Sequence, residues 1–354
     1  MPERPDIAIV SLGTTPGWRL IDAALADQIR AAGASCRVVR VTMGPAGHLR
    51  RAMALTDMVE SLAAVHAAEG VKAGATIFST VTAALLQPLR RPHAIQFDTT
   101  ASLSRPGAGG VWQRRREPAV LARADLLLPL SETAAAAAEA AIAGVPGSSV
   151  PRKVVLAPPV ERADEPATDA PDAIAYAGNP EKRGLELLCQ AWGQAGPAGA
   201  RLAVGGIERD DGLRWLARKG VAEPPGITWE GKVAHGRWLA LVAGARVFVS
   251  AARFEDWGLA QMEALAAGTP LVAVAATGPN PALPLARELG PALVAAEPEA
   301  SALAAALRAG LAMDEPARAA YAREARRLTA SYRKDAVQEL VSHEVLPALL
   351  SSSS

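Results

Sequence analysis

Short apolar runs alternate with longer amphipathic stretches along the whole chain, and this alternation limits the fold more than any other feature. The runs in the first half that have the character of buried strands are 7–10, 37–41, 75–78, 94–97, 125–129 and 153–157. Stretches with helical spacing, such as 21–32 and 49–69, separate them. Strands and helices in alternation form βαβ units, whose parallel sheet is covered by helices on both faces. The sequence therefore predicts an α/β fold.

The same pattern starts again after a stretch without apolar periodicity. Residues 158–171 contain four prolines and four acidic residues, which indicates a linker. Further strand-like runs follow at 173–178, 200–206, 227–231, 246–250 and 270–274. We predict two doubly wound, Rossmann-like domains that face each other across a cleft, because such sheets bind ligands beyond the carboxyl ends of their strands. The expected bounds are 1–160 for the first domain, 161–171 for the linker, 172–332 for the second domain, 333–350 for a helix that crosses back to the first domain, and 351–354 for a tail.

Composition excludes several classes of protein. The chain has 37 Lys and Arg against 36 Asp and Glu, a net charge of +1 that argues against a nucleic-acid partner bound through bulk charge. Hydrophobic residues make up 50% and charged residues 21%, which is typical of a packed core and not of disorder. The two cysteines are too few for a disulfide scaffold or a cysteine-built zinc site.

The sequence favours a cytoplasmic protein and does not indicate a peripheral membrane contact. Its longest uncharged run, 264–286, is interrupted by glycines and prolines and cannot form one membrane-spanning helix. The first residues carry acidic side chains and an apolar run that is too short for a signal peptide.

The most informative stretch is 250–274, which we interpret as strand, loop, helix, turn and strand. Gly258 permits a tight turn where the helix begins, and the free N–H groups of a helix N-terminus suit a diphosphate. Glu255 lies in the loop before that turn and can reach a sugar, whereas Glu263 lies on the second turn of the helix and can accept hydrogen bonds from two hydroxyls. Two glutamates near one helix are most often a cap and a solvated face. Glu263, however, is flanked by apolar residues, so its carboxylate should have a partner.

The stretch F-E-D-W-G-L-x-x-M-E-A-L-A-x-G-T-P-L-V, with Glu255 and Glu263 eight residues apart, resembles the signature of retaining nucleotide-sugar glycosyltransferases of family 4. The segment AYAGNPEKRGLELLCQAW at 175–192 is similar to that family's strand, loop and helix start for the donor diphosphate. The resemblance is specific over roughly 173–311 and only generic in the first domain. It implies the GT-B fold, which is two Rossmann-like domains facing across a cleft.

The resemblance also implies roles for individual residues. Glu263 would bind the ribose hydroxyls of the donor, and Glu255 would lie near the transferred sugar and be needed for activity. Backbone amides around Gly258 and Leu259 would hold phosphate or sugar oxygens.

Two positions depart from the family pattern. Arg183 stands where lysine is usual, and Asn179 stands where arginine often follows the glycine. Because arginine and lysine differ in geometry, either Arg183 or Lys182 could contact the diphosphate, and a solvated helix start is the ordinary alternative.

In the first domain, the resemblance suggests Gly13 as part of the loop over the donor phosphates and Asp98 as a residue near the reacting sugar. Gly13 and Gly17 follow the first strand but do not form the G-x-G-x-x-G pattern of dinucleotide sites. Asp98 ends a strand and could equally be a cap or turn residue. Basic residues at 50–51 and 114–116 are interpreted as solvated positions on helices that cover the sheet.

The resemblance implies a retaining glycosyltransferase that moves a hexose from a UDP- or GDP-linked donor to a hydroxyl of a saccharide, glycolipid or small molecule. We expect neither a metal nor another cofactor, because the sequence has no D-x-D motif and no His/Asp cluster. Three alternatives remain: a glycogen-synthase-like or phosphorylase-like enzyme, a non-catalytic two-domain sugar-binding protein, and a nicotinamide dehydrogenase. The dehydrogenase lacks its expected G-x-G-x-x-G motif. Slow hydrolysis of a nucleotide-sugar would distinguish a glycosyltransferase from the sugar-binding protein and from the dehydrogenase.

Overall fold

A computed structural model describes residues 4–43, 53–88 and 92–351. The chain divides into two compact units. The first consists of Met1–Pro159 together with Lys334–Ser354, and the second of Val160–Arg333. The expected helix at 49–69 is α2, of which Met53–Ala68 is seen, while Arg50 and Arg51 lie outside the described residues.

The helices and strands follow one another in the predicted alternation. In the first unit they are β1 Ile7–Ser11, α1 Pro16–Ala31, β2 Cys36–Arg40, α2 Met53–Ala68, β3 Ala75–Phe78, α3 Val81–Ala84, β4 His93–Phe97, α4 Ala101–Ser104, α5 Val111–Leu121, β5 Leu126–Pro129, α6 Glu132–Ala143 and β6 Arg152–Lys153. In the second unit they are β7 Ala173–Tyr176, α7 Leu185–Ala195, β8 Leu202–Gly205, α8 Arg209–Arg218, β9 Ile227–Gly231, α9 His235–Gly244, β10 Val247–Ser250, α10 Leu259–Ala267, β11 Leu271–Val274, α11 Ala282–Leu289, β12 Val294–Ala295, α12 Ala300–Leu311 and α13 Glu315–Leu328. Returning to the first unit, α14 Lys334–Leu340 and α15 Leu346–Leu350 are joined by a π-helical turn, Val341–Val345.

Among the described residues, each unit has a six-stranded sheet whose strand pairs are all parallel. The strand order is β2-β1-β3-β4-β5-β6 in the first unit and β12-β11-β10-β7-β8-β9 in the second. The predicted fold class, two doubly wound α/β halves, is confirmed. In each sheet the direction of winding reverses beside the first strand of the unit, between β1 and β3 and between β10 and β7. Ligand sites of open α/β sheets lie at such switch points.

Helix α1 begins one turn earlier than the apolar period predicted. Thr15 caps it by accepting a hydrogen bond at Oγ1 from the Trp18 N–H (3.2 Å), and Pro16 occupies the first helical position. Gly17 therefore lies inside the helix and not in the loop after β1, as the sequence had suggested. Local capping chemistry determines this boundary, since the first turn makes no apolar pattern of its own.

The core of the first unit lies on both faces of its sheet. On one face, α1 packs with α14, α15 and the turn between them, where Val337, Val341 and Leu349 are buried against Ile9. On the other face, the apolar side chains of β3, β4 and β5 pack against those of α3, α5 and α6. The two faces explain why the strands have continuous apolar runs and not an alternating pattern.

Candidate functional site

The candidate site begins where β7 and β10, neighbours in the second sheet, end. The loop after β7 carries Lys182 and Arg183, and the loop after β10 carries Glu255. These loops follow the two strands that flank the switch point, so the topology brings together residues about 70 positions apart in sequence. Helices α7 and α10 start from the same two loops.

Glu255 and Arg183 form a buried ion pair. Only 2% of Glu255 is exposed, and its Oε2 contacts Arg183 Nη1. The guanidinium also lies over the ring of Tyr176, 5.9 Å from the centroid. Burial lowers the pKa of Arg183 from its ordinary value, yet an arginine remains charged at any physiological pH. The predicted sugar-side carboxylate therefore has a cationic partner within the protein.

Lys182, the other predicted diphosphate cation, pairs with Asp256. Its backbone N–H donates to Asn179 Oδ1 at 3.0 Å, so the asparagine that departs from the family pattern holds the turn before α7. Lys182 and Arg183 are thus each paired with an acid from the loop after β10. Both contacts must rearrange or be shared if a diphosphate is to use these cations.

Glycines with left-handed backbones start both helices. Gly184 (φ 63°) precedes α7, and a Cβ there would lie 2.3 Å from the carbonyl oxygen of Ala251. Gly258 (φ 76°) precedes α10, whose first residue is Leu259, and a Cβ there would lie 2.8 Å from Asn280 Oδ1. Only glycine fits these positions without a shift. They allow two helix N-termini, with their free N–H groups, to end beside the ion pair.

Glu263 lies on the second turn of α10 and is 3% exposed. Its Oε1 is 2.8 Å from His235 Nε2, and its Oε2 accepts a hydrogen bond from Trp238 Nε1 at 3.0 Å. The sequence argument that this carboxylate should have a partner agrees with the geometry, but it did not identify His235 or Trp238. Both are on α9, 28 and 25 residues away, and no local motif connects them to Glu263.

A chain of buried amides supports the start of α10. Gln261 donates from Nε2 to Ser250 Oγ and accepts at Oε1 from Asn280 Nδ2, both at 2.8 Å. Asn280 Oδ1 in turn accepts the N–H of Ala282 at 3.0 Å. Sequence analysis missed these residues, and these bonds tie the end of β10, helix α10 and the start of α11 into one rigid frame.

Two cavities lie at this edge of the second sheet. A small one of about 20 Å³, lined by Arg183, Glu255 and Gln261 among others, has room for about one water molecule. A larger, open one of about 460 Å³ lies beyond β7, β8 and β9 and is lined by Gly206, Lys232, Trp215 and neighbouring residues.

The first-unit residues suggested by the sequence lie at the carboxyl edge of the first sheet. Gly13 is in the loop after β1 with φ 52°, and its carbonyl accepts a hydrogen bond from Arg19 Nη1 at 2.8 Å. Asp98 directly follows β4 and is half-buried. The role of each remains a prediction.

Sequence analysis did not detect a buried polar cluster at the switch point of the first sheet. Asp22 of α1, 2% exposed, lies between Ser11, the last residue of β1, and Ser79, which follows β3. Burial raises the pKa of Asp22 to about 6, although both hydroxyls favour the charged form. In the same unit, burial raises the pKa of Glu117 to about 7, and this carboxyl accepts the Ala101 N–H at 2.7 Å.

Within residues 4–43, 53–88 and 92–351, no three His, Cys, Asp or Glu side chains lie together in a way that could hold a metal ion. No helix in the described part of the chain is long and apolar enough to cross a bilayer.

Comparison with known proteins agrees with this arrangement. Residues 171–312 match the family model described as glycosyl transferases group 1. No curated protein sequence matches the chain significantly.

Solved structures resemble the chain over nearly its whole length. Anabaena Alr3699/HepE, in complex with UDP-glucose, is 14% identical with a TM-score of 0.68, and the match covers 96% of this chain and 98% of that one. WaaG, a glycosyltransferase involved in lipopolysaccharide biosynthesis, is 15% identical with a TM-score of 0.68 and coverage of 97% and 99%. A trehalose-6-phosphate protein from E. coli, bound with UDP-2-fluoro glucose, is 12% identical with a TM-score of 0.67 and coverage of 96% and 98%. The chain therefore has the GT-B fold of glycosyltransferases, and most of its second unit is similar to the glycosyl transferases group 1 family.

Proposed function

We propose that this protein is a retaining, metal-independent glycosyltransferase of family 4 that moves a hexose from a nucleoside-diphosphate sugar to a hydroxyl acceptor. The observation that carries the proposal is the pairing of Glu255 with Arg183, from the loops that follow β10 and β7, together with the partnered carboxylate of Glu263 on the helix that follows β10. The group 1 match spans this site, and two of the similar structures hold UDP-sugars.

Each part of the donor has a matching group in the second unit. Glu263 accepts the two ribose hydroxyls, and the N–H groups at Gly258 and Leu259 meet the diphosphate together with Lys182 or Arg183. The cavity of about 460 Å³ beside Gly206 and Lys232 offers space for the base.

In the transfer step, the bond between the anomeric carbon and the diphosphate oxygen breaks, and its electron pair leaves with the diphosphate. The acceptor oxygen forms a new bond to the anomeric carbon on the same face, and the departing phosphate takes the hydroxyl proton. Helix N-termini and basic side chains stabilise the leaving charge. Glu255 holds sugar hydroxyls and favours the positive charge that develops on the sugar ring. Gly13 and Asp98 are assigned to the phosphate loop and the reacting sugar.

The test is a thermal-shift panel of UDP- and GDP-sugars in EDTA, followed by NMR of the product. A bound donor stabilises the folded protein by mass action, by about 2.7 kcal/mol at a hundred times Kd. The product of a retaining enzyme has the anomeric configuration of the donor. If no nucleotide-sugar stabilises the protein, the proposed function is wrong, and an inverted product would contradict the retaining mechanism alone.

A further inference from the structure

Two side chains of α9 hold the carboxylate of Glu263 from one side. His235 and Trp238 are three residues apart, which places them on the same face of the helix. His235 Nε2 lies 2.8 Å from Oε1, and Trp238 Nε1 donates to Oε2 at 3.0 Å. Each carboxylate oxygen has two lone pairs, so each keeps one acceptor position for a ligand hydroxyl.

The two donors differ in what fixes them. Trp238 is packed edge-on against Tyr176 (ring centroids 5.6 Å apart) and Phe248 (6.2 Å), so its indole N–H has a fixed direction. The side chain of His235 is 33% exposed, and no ring contact holds it in the described structure. Unlike Trp238, His235 can carry a positive charge when it is protonated.

The imidazole of His235 lies between two carboxylates. Glu263 contacts Nε2, and Glu161 Oε2, from the segment before β7, is 3.7 Å from Nδ1. These are the charged groups that face it from α10 and from that segment. The hydrogen bond to Glu263, with a smaller contribution from the charge of Glu161, raises the pKa of His235 above its ordinary value. Arg183 cannot serve the same purpose, because it pairs with Glu255.

We infer that His235 is a positioning residue for the donor: together with Trp238 it fixes the carboxylate of Glu263 in the orientation that receives the ribose hydroxyls. The inference rests on the proposed function. Without an N–H at this position, a carboxylate that is 3% exposed keeps one protein donor, Trp238. Its Oε1 is then no longer held in one direction, so it receives a ribose hydroxyl less well.

The test measures Kd for uridine diphosphate from pH 5.5 to 8.5 in the wild type, His235→Leu and His235→Gln. We expect the leucine variant to bind about tenfold to thirtyfold more weakly across this pH range, as follows from one lost charged hydrogen bond. Glutamine keeps an N–H near the position of Nε2, so its Kd should stay within about threefold of wild type at pH 8. With a transferable donor, the loss should be in KM, with kcat little changed.

Arg237→Gln is the matched control, because Arg237 is on the same helix but pairs with Asp169 at the surface. It should bind uridine diphosphate as the wild type does at every pH. If the leucine and glutamine variants lose affinity equally, an N–H at this position does not matter, His235 serves only packing and the inference is wrong. A leucine variant with wild-type Kd would overturn the inference alone, whereas a wild type that binds no nucleotide would overturn the proposed function as well.

Discussion

The switch points of the two sheets have the same topology, but the buried carboxylates at each have different partners. In the second unit, Glu255 is paired with Arg183 and Glu263 with His235, so each buried carboxylate has a cationic or protonatable partner. In the first unit, Asp22 has the hydroxyls of Ser11 and Ser79 beside it, and burial raises its pKa to about 6.

The difference shows how each switch point accommodates a buried carboxylate. A buried carboxylate without a cation costs several kcal/mol, and a protein avoids that cost either by pairing the group or by protonating it. At the switch point of the second unit the carboxylates are paired. At that of the first unit two hydroxyls hold Asp22, and its raised pKa means that it takes up a proton more readily than an exposed carboxylate.

Asp22→Asn tests the first half of this comparison and has the largest expected effect. The pKa of Asp22 is about 6 in the folded protein, above its ordinary value of 3.8, so ionisation opposes folding. The contribution of Asp22 to wild-type stability should be greatest below about pH 4 and should fall as the pH rises through about 6. The asparagine variant lacks this fall and should exceed the wild type by up to about 3 kcal/mol at pH 8. Urea unfolding at pH 4 and pH 8 measures the difference.

Asp27→Asn is the control, since Asp27 is on the same helix but exposed and paired with Arg30. It should change stability little at either pH. Equal stability of Asp22→Asn and wild type at pH 8 would mean that burial does not raise the pKa of Asp22.

Glu255→Gln tests the second half. The amide keeps the shape of the side chain but loses the negative charge beside Arg183, so kcat should fall about a hundredfold, or about 2.7 kcal/mol. The affinity for uridine diphosphate should stay close to wild type, because the interaction acts on the sugar during transfer. Steady-state kinetics and calorimetry on the same preparation separate the two quantities. Wild-type kcat would show that Glu255 takes no part.

Glu263→Ala should act on binding and not on transfer. Two ribose hydroxyls lose a charged acceptor, which we expect to raise Kd for uridine diphosphate about thirtyfold, or about 2 kcal/mol. Glu288→Ala, at an exposed acid on α11, is the control and should leave Kd unchanged. Calorimetry gives both values, and an unaltered Kd in Glu263→Ala would remove this residue from the donor site.

The smallest expected effect is that of chelation. If Lys182, Arg183 and the helix N-termini meet the diphosphate charge, excess EDTA should leave the transfer rate unchanged. Rate measurements with EDTA alone and with added Mg²⁺ or Mn²⁺ check this. A complete loss that either cation restores would show that the charge is met by a metal and not by the pairs of the second unit.

The fold class and the neighbourhood of the site could be predicted because both depend on residues that are close together in the sequence. Strands buried on both faces appear as apolar runs, such as the one that contains Ile7 and Ile9, and their alternation with helices fixes the parallel topology. Gly258 and Glu263 are close together in sequence, so the turn and the helix they share were visible without a structure.

The partners of those residues could not be predicted in the same way. His235 is 28 residues from Glu263 and is an ordinary first residue of an amphipathic helix until the sheet order places α9 beside α10. Asp22 is likewise one of two acids on α1, and the register of β1 with β3 brings Ser11 and Ser79 to it. Long-range pairing carries this information, and one sequence does not display it.

The return of α14 and α15 to the first unit sets an order of events during synthesis on the ribosome. The second unit is continuous from Val160 to Arg333, so all of it has been translated before the helices that complete the first core. Until Val337, Val341 and Leu349 emerge, the apolar side of α1 has no cover from them. Domains generally fold in the order of their translation. Here the half that is translated first is the last to close its core, and until then apolar side chains of α1 remain without this cover.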